Sequence, residues 1–249
     1  MKAHIIRSCQ QPLQLLLLLL LLLTCSGNCY AQLSGSLTGT TDYMWRGYSK
    51  SDGKPALQVN LDYELRSGFY IGSFASFVDF ADEGFKDQSN IELRPYLGWA
   101  YKLSDDWQFN TEWVRYIYDG RIFGEKVDYN EFYFFGHYRD LLTANFSFSE
   151  DGYQQNHATF NYEITGRYPI NDSIEISSMF GYSNQKEVLH YDYYYWNIGL
   201  AWHVSHNLGF DVRYYNGDIF GSDKEISSGW QFDPHIARNR VVFSFTVGF

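Results

Sequence analysis

His157 and Thr159, two residues apart, come closer than any other pair in this sequence to a base beside a hydroxyl nucleophile. That chemistry needs the hydroxyl within hydrogen-bond reach of the imidazole and a third group to orient the ring. Ala158, Phe160, Tyr162 and Ile164 alternate with His157, Thr159, Asn161 and Glu163, which is the period of a strand and puts both candidates on the polar row. An enzyme attacking lipid from such a strand would need its nucleophile on the apolar row, so polar lining is the better reading of the pair. His137, His190, His203, His206 and His235 are scattered without ligand spacing. No phosphate loop, dinucleotide fingerprint or paired-carboxylate motif occurs. The sequence therefore points to no catalytic, cofactor or metal site.

A clearer pattern belongs to the charges on the polar rows of alternating runs. Asp42, Asp62, Glu64, Glu92, Glu112, Glu131, Glu163, Glu175 and Asp211 share those rows with Arg46, Arg94, Arg139, Arg167, Arg213 and Arg240. Charges enclosed by a low-dielectric wall act strongly on passing ions, and a guanidinium can hold a carboxylate bidentately and neutralise it. Nine acids against six bases predict a pore with a mild preference for cations. Complete pairing predicts a blocked one. Asp42 and Arg46, four apart on one strand face, are expected to form an ion pair that pins the loop at the mouth.

The elements that must position these residues are strands. From Gln32 onward there is no helical period and no repeat. Instead about twelve alternating runs follow one another: Leu33–Trp45, Ala56–Leu65, Phe69–Asp79, Asn90–Tyr101, Trp107–Tyr118, Tyr129–Arg139, Leu142–Ser149, Gln155–Tyr168, Ile174–Tyr182, Tyr191–His203, Leu208–Tyr215 and Arg240–Phe249. Phe69–Asp79 is aromatic on both faces, which leaves its register open. In the last run Val241, Phe243, Phe245, Val247 and Phe249 form one apolar row. The connections alternate between tight turns rich in Asp, Asn, Gly, Ser and Pro and longer loops such as Arg46–Pro55 and Asn216–Asn239. Sorting of loop length by end, with an even strand count, fits an all-β transmembrane antiparallel β-barrel with short periplasmic turns and longer extracellular loops.

Lys2, His4 and Arg7 precede nine leucines, Leu15 to Leu23, and small or polar residues follow up to Ala31. This is the order of a secretory signal peptide, too short in its apolar part for a spanning helix. The expected domains are residues 1–31 as leader and 32–249 as barrel. Cys9, Cys25 and Cys29 all leave with the leader, so disulfides and thiolate metal sites are excluded from the remaining 218 residues. Those residues carry 17 bases and 29 acids, a net charge of −12 that argues against nucleic acid as a partner. Aromatic residues make up 20 % of the chain. Trp45, Tyr63, Tyr96, Trp99, Tyr101, Trp107, Tyr116, Tyr118, Tyr138, Tyr168, Tyr182, Trp196, Trp202 and Tyr214 lie mainly near strand ends, where girdles at a membrane interface are expected.

The stretch from Thr40 to Phe80 resembles the opening of the TorF family of bacterial porin-type proteins. The matching residues are Asp42, Tyr43, Arg46, Gly47 and Ser49 (D-Y-x-x-R-G-x-S), Pro55, Ala56 and Gln58 (P-A-x-Q), Asp62 by itself, Ser67, Gly68, Tyr70 and Gly72 (S-G-x-Y-x-G), and Val78, Asp79 and Phe80. The resemblance implies an outer-membrane barrel acting as a pore. The alternating last strand with terminal Phe249 resembles the assembly signal of such barrels, with Phe245, Val247 and Phe249 as its residues and the barrel-assembly machinery as the implied partner. Together these readings predict a narrow passive channel for small polar solutes in a bacterial outer membrane, bounded by lipid and needing no cofactor. Two other readings stay open: a barrel plugged by its own side chains that works through its loops as a structural or adhesive protein, and a lipid-modifying enzyme.

Overall fold

The computed structural model describes residues 31–82, 84–220, 236 and 238–249. Of the expected leader only Ala31 is among them, paired with Leu65 at the start of the first strand. Twelve strands close into one antiparallel barrel: β1 (Ala31–Thr40), β4 (Ala56–Leu65), β5 (Phe69–Phe77), β6 (Ile91–Lys102), β7 (Trp107–Tyr118), β8 (Tyr129–Tyr138), β9 (Leu142–Ser149), β10 (Thr159–Asn171), β11 (Ile174–Asn184), β12 (Asp192–Ser205), β13 (Leu208–Phe220) and β14 (Arg240–Gly248). Each strand pairs with its sequence neighbours, and β1 closes on β14. Closure leaves no open edge, so every strand finds partners for its backbone groups on both sides.

The alternation read from the sequence sets which way the side chains face. Leu57, Leu61, Tyr63 and Leu65 of β4 are exposed on the outside, as are Val241, Phe243, Phe245 and Val247 of β14. The intervening polar residues face the lumen. A barrel that held a ligand in water would turn its apolar row inward; this one wears it outside, the arrangement of a surface that meets lipid. Strand β5 resolves the register left open above: Phe69, Ile71 and Phe77 point out, while Tyr70 and Phe74 line the interior. Among the described residues no helix is long and apolar enough to cross a membrane.

The short connections all lie at one end, the long ones at the other. Residues 66–68, 103–106, 139–141, 172–173 and 206–207 make tight turns, whereas 41–55, 78–90, 119–128, 150–158 and 185–191 are longer. The chain from 221 to 235 lies outside the described residues.

The first run ends earlier than its alternation suggests. The barrel strand stops at Thr40, and of residues 41–55 the stretch 42–51 turns into the lumen instead of forming an outside loop, with 52–55 exposed at the rim. The inward stretch carries a hairpin of β2 (Met44–Trp45) and β3 (Tyr48–Ser49). Arg46 and Gly47 are its two turn residues, with φ of 45° and 81°. Two adjacent positive φ values are what a two-residue type I′ turn requires, and this local geometry overrides the alternation on either side.

Inside the long-loop half the hairpin meets side chains from the wall and from the loops. Tyr48, Tyr116, Tyr118, Ile122, Val127, Tyr129, Tyr153, Val188, Leu189 and Tyr193 pack there as one buried cluster. Tyr116 stacks on Tyr129 with ring centres 4.4 Å apart, and the Tyr48 and Tyr153 hydroxyls lie 3.0 Å from each other. The hydrophobic core thus sits within the barrel mouth, and the hairpin is a plug.

Candidate functional site

Two carboxylates on the wall anchor the plug. Glu131 of β8, with no exposed surface, accepts from Arg46 Nη1 at 2.8 Å, Ser147 Oγ at 2.8 Å, Tyr133 Oη at 2.7 Å and Asn161 Nδ2 at 3.2 Å. Arg46 also donates to Tyr133 Oη at 3.1 Å and Ser147 Oγ at 2.8 Å. Glu92 at the head of β6 is equally enclosed. It accepts from Lys50 Nζ, from Tyr43 Oη at 2.8 Å and from Tyr118 Oη at 2.8 Å, and it pairs with Arg94 Nε at 3.2 Å. A buried charge is tolerated when it is paired and hydrogen-bonded, and both carboxylates meet that condition, although at the Glu92 site the Arg94 Nε makes an ion pair without a hydrogen bond.

Trp45 lies among three cations, two from the plug and one from β6. The Arg46 guanidinium carbon, Lys50 Nζ and the Arg94 guanidinium carbon stand 5.1, 4.9 and 4.7 Å from its ring centre, within the range of cation–π attraction. Gly47 at the hairpin tip touches the opposite wall: a Cβ there would lie 2.5 Å from Tyr195 Cβ. Asp42 gathers the base of the hairpin, accepting from the hydroxyls of Ser49 and Ser51. The expected Asp42–Arg46 ion pair does not form, because the chain leaves β1 at Thr40 and Arg46 sits at a reversal that aims it at Glu131.

Below the plug, toward the short-turn end, is a cavity of about 800 Å³. Its charged lining is Asp62, Glu64, Glu112 and Glu163 with Arg46 and Arg94 at the ceiling, and Tyr70, Phe74 and Tyr96 supply rings. Tyr96 donates to Asp62, Tyr70 to Glu112 at 3.1 Å, and Tyr195 to Glu163 at 2.7 Å. Tyr70 and Tyr96 lie flat on the wall because Gly98 and Gly72 beneath them have no side chain to collide with. The cavity runs down to Gln32, Glu64 and Gln108, next to the short turns.

The other charges read from the sequence are spread around the barrel. Arg213 pairs with Asp211 at 2.9 Å and also donates to Asn197 and Ser177. Arg167 donates to Thr143 at 2.9 Å and shares a recess at the short-turn end with Glu175. Arg139 is not a strand residue: β8 stops at Tyr138, and Arg139, at a φ of 48°, makes an exposed ion pair with Asp106 at 2.8 Å. Arg240 is exposed at the start of β14, with its guanidinium against Gly53. His157 lies in the loop before β10, so it and the buried Thr159 do not share a strand face. Among the described residues no three His, Cys, Asp or Glu side chains are grouped to hold a metal ion.

The aromatic residues divide. Tyr63, Trp99, Tyr101, Trp107, Tyr168 and Trp202 are exposed on the outside near the short turns, where a girdle belongs. Trp45, Tyr96, Tyr116 and Tyr118 are inside, contrary to the girdle expectation, since each occupies the inward parity of its strand or belongs to the plug. Lys50, Tyr43 and Tyr48 were missed in the sequence because nothing in a short polar loop marks it as folding inward.

The chain belongs to the bacterial family Gcw_chp, described as "Bacterial protein of unknown function", which it matches over residues 26–246. No curated protein matches it. Among solved structures it is similar to the KdgM porin, at 10 % identity over 87 % of this chain and 98 % of that one, with a TM-score of 0.52. It is also similar to the COG4313 outer membrane channel from Pseudomonas putida F1, at 8 % identity over 90 % and 99 %, with a TM-score of 0.51. The NanC porin gives 11 % identity over 86 % and 97 %, with a TM-score of 0.50. At these identities the likeness is one of fold.

Proposed function

We propose that this protein is a porin-type channel of the bacterial outer membrane for small polar solutes, held closed by residues 41–55. The observation that carries this reading is the polar cavity that runs from the short-turn end and stops at a segment lying inside the wall and not forming part of it. A plug whose chain joins the barrel only at β1 and β4, and which is otherwise held by side chains, a backbone hydrogen bond from Asp79 to Lys50 and a bridge between Tyr48 and Ile236, can move while the wall stays closed. The apolar outer belt and the porin-like fold support placement in the outer membrane, with lipid around the belt and the leader and the barrel-assembly machinery bringing the chain there. The motifs from Asp42 to Phe80 support the narrower TorF assignment, and the first of them, Asp42 to Ser49, builds the hairpin of the plug. Four acids against two arginines in the cavity support a mild cation preference.

A second reading has its own observation. Loops 119–128, 150–158 and 185–191 send Ile122, Val127, Tyr153, Val188 and Leu189 into the same core as the plug, which makes a rigid face suited to a structural or adhesive barrel. Planar-bilayer recording under a salt gradient separates the two. The expected result is rare openings for the native protein and steady, mildly cation-favouring conductance when residues 42–51 are replaced by a Gly-Ser linker. A folded linker variant that stays silent would leave the structural reading, and a reversal potential favouring anions would overturn the cation preference.

A further inference from the structure

Arg94 has a fixed position and unused hydrogen-bonding capacity. Its guanidinium carbon stands 3.8 Å from the Phe74 ring centre and 4.7 Å from that of Trp45, and its Nε pairs with Glu92 at 3.2 Å. The side chain is 12 % exposed. The Nε–Glu92 contact is an ion pair without hydrogen-bond geometry, and among the described residues no acceptor takes a hydrogen bond from any nitrogen of Arg94, whereas Arg46 and Arg213 each meet several. A guanidinium presents its donors as a planar fork that fits a carboxylate. Here the fork is held between two rings at the ceiling of the cavity, ready for an acceptor from outside the chain.

The rest of the cavity narrows the kind of acceptor. Asp62 accepts from Tyr96 and Asn60 and Glu112 from Tyr70, and each keeps further lone pairs. A ligand with only a carboxylate would meet Arg94 but be repelled by these acids. One with only an ammonium would leave the fork empty. We propose that the cavity is a binding site for small zwitterions of the α-amino-acid class, with the carboxylate on Arg94 and the ammonium toward Asp62 and Glu112. The ligand's carboxylate would compete with Glu92 for Arg94, and Glu92 is also the anchor of Lys50, so occupancy of the cavity bears on the plug. As the substrate class of the channel this rests on the reading above, but binding itself needs no conduction.

Titration calorimetry on the protein refolded in detergent tests it, with alanine, N-acetylalanine and alaninamide as probes. Alanine should bind, and each capped form should bind at least about 10-fold more weakly. Arg94→Gln should weaken alanine binding roughly 10- to 100-fold, and Glu112→Gln should narrow the gap between alanine and N-acetylalanine. Heat-dependent gel mobility checks that each variant is folded. If Arg94→Gln does not fold, Arg94→Lys keeps the charge without the fork and should still lose about 10-fold. Equal binding of the capped forms, undiminished binding in a folded Arg94 variant, or no binding of alanine would overturn the site. A silent bilayer with alanine bound would instead overturn the channel alone.

Discussion

Arg46 Nη1 and Glu131 Oε1 lie 2.8 Å apart, the one on a plug that enters from β1 and the other on β8 in the barrel wall. Both side chains are almost wholly buried, so breaking the pair from one side strands a charge. Glu131→Ala should destabilise the closed state by about 3–5 kcal/mol. The double variant Arg46→Met with Glu131→Leu should cost less than Glu131→Ala alone, since no charge is left without a partner. Denaturant-induced unfolding in detergent measures both, and a double variant less stable than the single one would refute the argument.

Gly47 offers a way to disturb the plug without removing a charge. Its φ of 81° and the nearness of Tyr195 Cβ both oppose a side chain. Gly47→Ala should cost on the order of 1–3 kcal/mol and raise the frequency of openings in a bilayer. Gly39→Ala, where a Cβ meets nothing within 4 Å, should leave both unchanged.

On β14 the two faces should respond differently to charge. Phe245 is exposed on the outer belt, while Ser244 faces inward and hydrogen-bonds to Thr40 at 3.0 Å. Phe245→Asp should destabilise the barrel in bilayers by roughly 2 kcal/mol, and Ser244→Asp by much less. Refolding yield into vesicles, read from heat-dependent gel mobility, compares them. Equal tolerance would mean the faces are reversed.

Asp119, in the loop after β7, carries a pH dependence. Its carboxylate accepts from the amides of Ile91 and Asn90 and from the Ser89 hydroxyl at 2.9–3.0 Å. Burial pulls its pKa up, but these donors outweigh burial and hold it below the usual carboxylate value. A pKa depressed by folding adds stability that is fully present above the unfolded value of about 4 and is lost as pH falls through the folded one. Amide exchange at Asn90 and Ile91 should therefore quicken below about pH 4, and Asp119→Asn should remove most of that dependence.

The wall was legible in the sequence because a strand's alternation records which face each residue takes. Ala56–Leu65, Trp107–Tyr118 and Leu142–Ser149 have the same bounds in sequence and structure. The plug was not legible. Leu33 to Trp45 alternates acceptably throughout, and the departure of the chain at Thr40 is set by the Arg46–Gly47 reversal and by partners 85 and 101 residues away, Glu131 and Ser147. Arg46 was identified as a lumen residue, but its partner was misassigned, since a period of two places residues on a face and says nothing of what crosses the interior. The double aromatic character of Phe69–Asp79 has the same origin: Phe74 is there to meet Arg94.

The closure between β1 and β14 has a consequence for the order of events during biogenesis. Gly35 and Phe249 exchange backbone hydrogen bonds at 3.0 and 2.9 Å, so the ring of strands is sealed by β14 long after β1 has been made. The plug is spliced between β1 and β4, directly beside that seam. Before sealing, the gap gives residues 41–55 a sideways route into the interior. Afterwards the hairpin is enclosed by a continuous wall and has only the long-loop mouth as an exit. Strand β14 therefore acts as a latch, fixing inside the barrel a segment that lies far earlier in the chain.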